Sequence, residues 1–323
     1  MIGVIGGCVK TYIGIVPAYS LGMTYSATTT AFDKLDLRNV NYRFDLESDI
    51  PWSSLNDAGE HFGPKFCAKV GVDYERLSEN PEAMKLFQWA VGLEVAEAFY
   101  ILESYLLDFV DDEEEELGPN RSALLLYQEE VKHMELFRRY ADYLRAARPD
   151  WVSKFDVEFT GYKPHPYTQD NYPNETVQHY FFWLKTLLFE EYTVYLYDEL
   201  VSEKDTMQPV WLAAHRAHAR EERQHVLTDA AHLDALVMRD TERRACSYAF
   251  WTHFEATFNE FLGIATAKSL VRKYFPDVAD AVPDVPVESL PIFEDILSNR
   301  NFKHTLRHAP LPANLVKVQK QVA

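Results

Sequence analysis

Two segments of the chain share a pattern of acidic residues followed by histidine. Residues 127–133 read YQEEVKH and residues 218–225 read HAREERQH, and both contain the spacing Glu-x-x-His. Side chains three positions apart lie on one face of a helix, so each segment can offer a carboxylate oxygen and an imidazole nitrogen to one metal ion. The four residues concerned are Glu130, His133, Glu222 and His225.

The repetition carries more information than either copy alone. A chain of this composition is expected to contain about one Glu-x-x-His by chance. Here the two copies are the only ones in the sequence, and each is preceded by a further glutamate, Glu129 or Glu221. These outer glutamates are candidates for orienting the histidines without binding the metal themselves.

The surrounding sequence predicts that both copies lie on long helices. Apolar residues predominate in four segments that begin at proline or at residues suited to helix capping. Between Pro149 and Pro173 lies a connector long enough to cross a bundle, and the alternation of Phe155, Val157 and Phe159 indicates a short extended piece within it. The predicted helices run from 81 to about 117, from 120 or 122 to about 148, from about 174 to 201 and from about 209 to 239.

These helices predict an all-α fold, a ferritin-like four-helix bundle with extra helices and one long crossover connection. A fifth helix is expected from about Thr241 to Lys273. We expect one domain over residues 1–323, with an irregular N-terminal arm (1–80), a helical core (81–275) and a proline-rich tail (276–323) that wraps the core.

A bundle of this kind holds two iron or manganese ions with a glutamate from each of two helices and a Glu-x-x-His from each of the other two. Helix one offers Glu94, Glu97 and Glu103, and helix three offers Glu190 and Glu191, all within apolar sequence where an unpaired carboxylate is costly. Glu97 and Glu191 are preferred because they leave similar helix lengths on both sides of each turn. The other three glutamates remain alternatives.

Composition limits the classes of partner. The chain has 32 Lys and Arg against 50 Asp and Glu, a formal net charge of −18, which argues against nucleic acid or an anionic membrane. Its three cysteines are far apart and predict neither disulfides nor a thiolate metal site. Lys10 and Pro17 interrupt the most apolar N-terminal stretch, so no membrane span is expected and a cytoplasmic location is predicted.

His218 lies four residues before Glu222, on the same helical face, and adds a third imidazole. With it, residues 218–225 resemble the His-x-Arg-acid-Glu-x-x-His motif of the p-aminobenzoate N-oxygenase family, and residues 129–133 resemble that family's first acid-Glu-x-x-His segment. The similarity in helix order and spacing extends from about Phe87 to Phe275. By this resemblance the ligands of two iron ions are Glu97, Glu130, His133, Glu191, His218, Glu222 and His225.

The resemblance implies a diiron monooxygenase that uses O2 to convert an amine to a hydroxylamino, nitroso or nitro compound in small-molecule, secondary-metabolite biosynthesis. It further implies an external electron donor, a reductase or a ferredoxin, and a homodimer. Residues 299–302 are similar to the segment with which the family's arginine anchors the substrate, so Arg300 is a candidate substrate anchor. Trp89 and Tyr195 occupy the positions nearest to the family's other substrate-binding residues.

Two other functions fit the same metal ligands. The first is a diiron hydroxylase or desaturase, which would act on carbon rather than on nitrogen. The second is a non-catalytic iron- or manganese-binding bundle. The long arm and tail weigh against storage, because storage proteins commonly assemble into cages from shorter chains.

Overall fold

The computed structural model describes residues 43–56, 59–117, 121–159, 173–298 and 300–312. Over these residues the chain forms helices and turns, with one isolated β-bridge and no β-strand. The predicted all-α class is therefore confirmed. Among the described helices, none combines the length and the apolar character that a membrane span requires.

Four long helices dominate the described chain, and shorter helices pack around them. Single 3₁₀ turns occur at Trp52–Ser54, Pro276–Ala281, Val287–Ser289 and Arg300–Phe302. The α-helices are α1 (Pro64–Lys69), α2 (Tyr74–Ser78), α3 (Pro81–Leu117), α4 (Arg121–Ala147), α5 (Pro149–Glu158), α6 (Glu175–Val201), α7 (Pro209–Ala235), α8 (Asp240–Phe261), α9 (Ala265–Tyr274), α10 (Pro291–Ser298) and α11 (Lys303–His308).

The long helices pack as two pairs, α3 with α4 and α6 with α7, and α4 also contacts α7. For α3 and α6, side-chain caps confirm the predicted starting points. Asn80 Oδ1 accepts the amide hydrogen of Ala83 at the start of α3, at 3.2 Å. Asn174 Oδ1 does the same for Val177 in α6, at 2.9 Å. Such caps satisfy amide groups that have no partner within the helix, and so fix where each helix begins.

The predicted extended piece in the connector is wrong. Residues 149–158 form α5, with Pro149 in the first turn, where the missing amide hydrogen of proline is not needed. Trp151 and Phe155 lie one turn apart and both are buried, whereas Val157 is exposed. The residues that suggested an alternating strand therefore follow helical spacing, in which i and i+4 share a face.

The predicted fifth helix is two helices, α8 and α9. The chain breaks between them at Gly263, whose φ of +64° is unfavourable for residues with a side chain. A Cβ at this position would also lie 3.0 Å from Val95 Cγ2 of α3. The break allows α9 to turn back and pack on α3.

A second glycine, Gly92, allows a close approach in the middle of α3. A Cβ at this position would overlap the imidazole ring of His61. That ring is buried and held by its neighbours, since His61 Nε2 lies 2.9 Å from the Tyr140 hydroxyl and the centroids of the His61 and Trp211 rings are 5.0 Å apart. A shift of the ring away from an added Cβ would disturb both contacts, so the substitution costs packing.

We expect Gly92→Ala to lower the free energy of unfolding by about 1–3 kcal/mol through overpacking, although alanine normally favours a helix by about 1 kcal/mol over glycine. Urea unfolding measures the change. In a His61→Ala background the same substitution should become neutral or stabilising, because the overlapping ring is gone. A single variant that is more stable than the parent would contradict the proposed overlap.

Candidate metal centre

Seven side chains from the four long helices converge in the interior of the bundle. All are at most 1 % exposed, although each carries a group that normally prefers water. They form one continuous cluster of carboxylates and imidazoles. Its members are Glu103 on α3, Glu130 and His133 on α4, Glu190 on α6, and His218, Glu222 and His225 on α7.

Two groups within this cluster could each hold a metal ion. In both groups the ligand atoms lie within 4.8 Å of one another. Because His133 and Glu222 belong to both groups, the two positions are adjacent, and the Glu222 carboxylate lies where it could bridge them. The first group is Glu103, His133, His218 and Glu222; the second is Glu130, His133, Glu222 and His225.

The two Glu-x-x-His segments meet face to face, as their repetition predicts. His133 Nδ1 lies 2.9 Å from Glu130 Oε2 on its own helix and 3.0 Å from Glu222 Oε1 on α7. His225 Nδ1 lies 2.8 Å from Glu222 Oε2 on its own helix and 2.9 Å from Glu130 Oε1 on α4. Each carboxylate therefore touches the imidazoles of both helices.

His218 joins the cluster as a third imidazole. Its Nε2 lies 2.5 Å from Glu222 Oε1 and 3.0 Å from Glu103 Oε1. The fourth helix contributes Glu190, whose Oε1 lies 3.9 Å from His225 Nδ1. The cluster is asymmetric, because Glu103 and His218 lie at one end and Glu190 and His225 at the other.

Hydrogen bonds alone leave some polar atoms of this cluster without a partner. Such unpartnered atoms are expected where side chains bind a metal ion. His133 Nδ1 faces two carboxylate oxygens but carries at most one hydrogen. Glu130 Oε1 and Glu222 Oε1 lie close to imidazole nitrogens but accept no hydrogen bond of suitable geometry, and buried Glu190 Oε2 accepts none either. Buried polar atoms are normally paired, and four carboxylates in one dry interior repel one another. Carboxylate oxygens and imidazole nitrogens are ligands of divalent first-row metals, so the residues fit a pair of such ions.

Without metal, protons compensate part of this charge. Burial, together with the charges of Glu130 and Glu222, raises the pKa of Glu103 well above its usual value. Burial by itself would lower the pKa of His133 and of His225, but the facing Glu222 and Glu130 carboxylates hold both values well above the usual range. The raised pKa values therefore favour protons on the same side chains that would bind the cations.

The outer glutamates orient the histidines crosswise between the helices. Glu221 of α7 lies 2.8 Å from Nε2 of His133 on α4. Glu129 of α4 lies 3.1 Å from Nε2 of His225 on α7. Both imidazoles are thus held with Nδ1 toward the cluster and Nε2 toward a carboxylate, an arrangement that fixes the ring and its tautomer in metal sites.

A short piece of the N-terminal arm binds the two outer glutamates. Arg43 Nε donates to Glu129 Oε1 at 3.3 Å, and the Phe44 amide donates to Glu221 Oε1 at 3.0 Å. The Phe44 ring stacks on the His133 imidazole, with 6.1 Å between ring centroids. Both outer glutamates are therefore bound by two consecutive residues of the arm.

Glu97, the preferred helix-one ligand, does not lie in the cluster. Its carboxylate is partly exposed and pairs with Arg145 of α4 at 2.8 Å. The argument from equal helix lengths is wrong because α3 runs to Leu117 while α4 begins at Arg121, so Glu97 lies much farther from the turn than Glu130 does. Glu103 takes the position instead. Glu103 lies within a buried stripe, between Phe99 and Leu106 and on the same face as Ala96, and this helical spacing is a signal that the sequence contains.

Glu191, the preferred helix-three ligand, turns away from the cluster, and its neighbour Glu190 takes the position. The Glu191 carboxylate accepts the amide hydrogens of His304 and Thr305 at the start of α11, both at 3.0 Å. Glu94 has the same role for α9, where it accepts from Thr266 at 2.9 Å. Both glutamates are buried because they cap helices.

The three predicted substrate-binding residues lie in different surroundings. Trp89 donates from Nε1 to the Leu144 carbonyl at 2.8 Å and packs on Trp151. The Tyr195 hydroxyl donates to Asp295 Oδ2 at 2.8 Å. Arg300 is exposed. Their positions give no support to a shared substrate pocket.

Asp229 is a buried acid that sequence reasoning did not single out. It follows His225 by one helical turn and is 1 % exposed, and its Oδ2 has no hydrogen-bond partner. Burial raises its pKa well above the usual value. The i, i+4 spacing from His225 is the signal that could have identified it.

Comparison with protein-family models, curated proteins and solved structures gives no match for this chain. The chemical character of the centre therefore rests on its own side chains. Four carboxylates and three imidazoles, drawn from four helices, can bind two neighbouring divalent cations.

Substitution of Glu103 separates the two helix-one candidates. We expect Glu103→Ala to weaken Fe(II) or Mn(II) binding by about tenfold or more, because it removes one carboxylate from the ion next to His218. Glu97→Ala is the matched control on the same helix and should bind like the parent. Equilibrium dialysis followed by elemental analysis measures both. Weaker metal binding by Glu97→Ala than by Glu103→Ala would instead identify Glu97 as the ligand.

Metal binding should release protons. The raised pKa values of His133, His225 and Glu103 favour their protonated forms, whereas ligation requires the unprotonated forms. The expected release is on the order of one to three protons per chain, and affinity should rise as the pH increases. Calorimetric titration in buffers of different ionisation enthalpy measures the release. An enthalpy independent of the buffer would contradict this prediction.

Proposed function

We propose that the protein is a non-haem diiron N-oxygenase that uses O2 to oxidise the nitrogen of a small-molecule amine. The observation that carries the proposal is the position of His218. Its Nε2 lies within hydrogen-bonding distance of Glu222 and Glu103, so a third imidazole joins the four carboxylates. This is the ligand set implied by the resemblance of residues 218–225 to the p-aminobenzoate N-oxygenases, with Glu103 and Glu190 in place of Glu97 and Glu191.

Iron suits these ligands on chemical grounds. Carboxylates and imidazoles favour iron or manganese, whereas copper and zinc sites commonly include softer sulfur ligands or fewer carboxylates. Four carboxylates would balance the charge of two divalent ions. Bound iron would supply the two electrons that, with two protons, convert one oxygen atom of O2 to water while the other is transferred to nitrogen, and an external donor would then return two electrons to the iron.

The side chains of this chain have separable roles in the proposal. Glu222 would lie between the ions, while Glu103 and Glu190 would bind at opposite ends. Glu221 and Glu129 hold His133 and His225 through their Nε2 atoms. These outer contacts keep both rings in place when the charge of the centre changes.

Aromatic rings enclose the end of the centre near His218. The Phe99 and Phe137 rings lie 5.1 Å and 4.9 Å from the His218 imidazole, each approaching edge to face. Such a wall excludes water and favours an apolar or aromatic amine over a charged one. A neutral amine also keeps the lone pair on nitrogen that accepts the oxygen atom.

Isotope labelling tests the reaction. Protein loaded anaerobically with Fe(II) is exposed to 18O2 in the presence of aryl amines, alkyl amines and matched hydrocarbons. The proposal expects label in an N–O bond, detected by mass spectrometry. Label in a C–O bond would indicate a hydroxylase. Oxidation of the iron without any oxygenated product would indicate a metal-binding bundle, and either result would contradict N-oxygenation.

His218→Ala tests the residue on which the proposal depends. We expect it to lower N-oxygenation by more than about 100-fold, because it removes an imidazole from one ion. His215→Ala is the matched control: His215 is equally buried on α7, but neither of its ring nitrogens has a hydrogen-bond partner. It should retain metal and most activity. Equal metal content and activity in the parent and in His218→Ala would remove His218 from the centre.

A further inference from the structure

A cavity separate from the candidate metal centre lies between the start of α8 and residues 307–312 of the C-terminal tail. Its volume is about 560 Å³, within the range of small-molecule sites. No residue of the candidate metal centre lines it. The lining includes four basic or imidazole side chains, Arg243, Arg244, Arg307 and His308.

The tail wall of this cavity is held by three consecutive hydrogen bonds. The Tyr180 hydroxyl donates to the His308 carbonyl at 2.8 Å. Trp251 Nε1 donates to the Ala309 carbonyl at 2.8 Å, and Ser247 Oγ donates to the Pro310 carbonyl at 2.9 Å. Side chains from two helices thus fix the backbone on which His308 is mounted. The cavity is preformed, which reduces the entropic cost of binding.

The charge of the lining is unusual for a chain with a formal net charge of −18. Arg307 is neutralised by Asp234, which it reaches at 2.7 Å and 2.9 Å. Arg243 donates to the Leu236 carbonyl at 3.3 Å. Among the described residues, neither Arg243 nor Arg244 makes an ion pair. The lining contains one acid, Asp240, so the cavity keeps an excess of positive charge.

His308 supplies a second, independent indication of a ligand. It is 3 % exposed, and its Nε2 has no hydrogen-bond partner, since Asp234 Oδ1 is 3.8 Å away. Burial lowers the pKa of His308 to about 4, so the ring is neutral at pH 7 and can donate one hydrogen bond. A buried polar atom without a partner is uncommon unless an ion, water or ligand completes it.

We propose that this cavity binds the oxyanion of a small organic molecule, a phosphate ester or a carboxylate. Arg243 and Arg244 donate to the oxyanion, and His308 Nε2 completes its hydrogen bonds. The guanidinium group suits this role because its planar donors match the oxygens of carboxylates and phosphates.

The organic part of the ligand packs at the mouth of the cavity. Tyr248 is 57 % exposed there, so its ring is available for stacking. Leu311 and Pro312 line the opposite side. A flat ring between these residues and the arginines would be held by stacking and by apolar contact.

Calorimetric titration of the full chain, without added metal and at fixed ionic strength, tests the proposal. The probes are adenosine monophosphate against adenosine and benzoate against benzyl alcohol, so each anion has an uncharged counterpart. We expect at least one anion to bind about tenfold or more tightly than its counterpart. The pair that shows this difference identifies the bound oxyanion as a phosphate or as a carboxylate.

Arg244→Gln should weaken the preferred anion about tenfold, because Arg244 is exposed, forms no ion pair among the described residues and is removed without loss of packing. Arg216→Gln is the matched control, an exposed arginine of α7 outside the cavity. It should bind like the parent.

Two results would overturn the proposal. The first is equal binding, or no binding, of the charged and uncharged members of both pairs. The second is equal weakening by Arg244→Gln and Arg216→Gln, which would indicate attraction to net charge alone. The metal centre takes no part in these titrations, so either result leaves the proposed oxygenase unaffected.

Discussion

Repulsion among buried carboxylates is the constraint on which the rest of this structure depends. Glu103, Glu130, Glu190 and Glu222 project from four different helices into one dry interior. Like charges at such short range raise the free energy of the folded chain unless cations or protons offset them. The bundle can therefore bring its four helices together only with positive charge at its centre, supplied by protons or by cations, so a metal ion bound there would also stabilise the fold.

The hydrogen bonds of Glu129 and Glu221 connect the two helix pairs at the centre of the bundle. Glu129 of α4 supports a histidine of α7, and Glu221 of α7 supports a histidine of α4. A shift of α4 against α7 would therefore disturb both imidazoles together. Arg43 and Phe44 bind the same two glutamates from the arm, so the arm stabilises the geometry of the centre as well as covering it.

Buried glutamates have two different roles in this fold. Glu94 and Glu191 accept backbone amide hydrogens at the starts of α9 and α11, and so attach peripheral helices to the bundle. Glu103 and Glu190 face other ionisable groups. Glu190 and Glu191 are adjacent in sequence, but consecutive residues point about 100° apart on a helix, so one faces the centre and the other faces the tail.

The amino-acid sequence alone determined the class of fold, the starts of the long helices and both Glu-x-x-His segments, because capping and spacing act within a few residues. The tertiary structure decided the other two glutamates. On α3 the buried stripe indicates Glu103, but α6 is buried on all sides from Leu187 to Glu191, so periodicity cannot distinguish Glu190 from Glu191. That choice depends on which neighbouring helix each residue faces, and only the packing of distant segments fixes it.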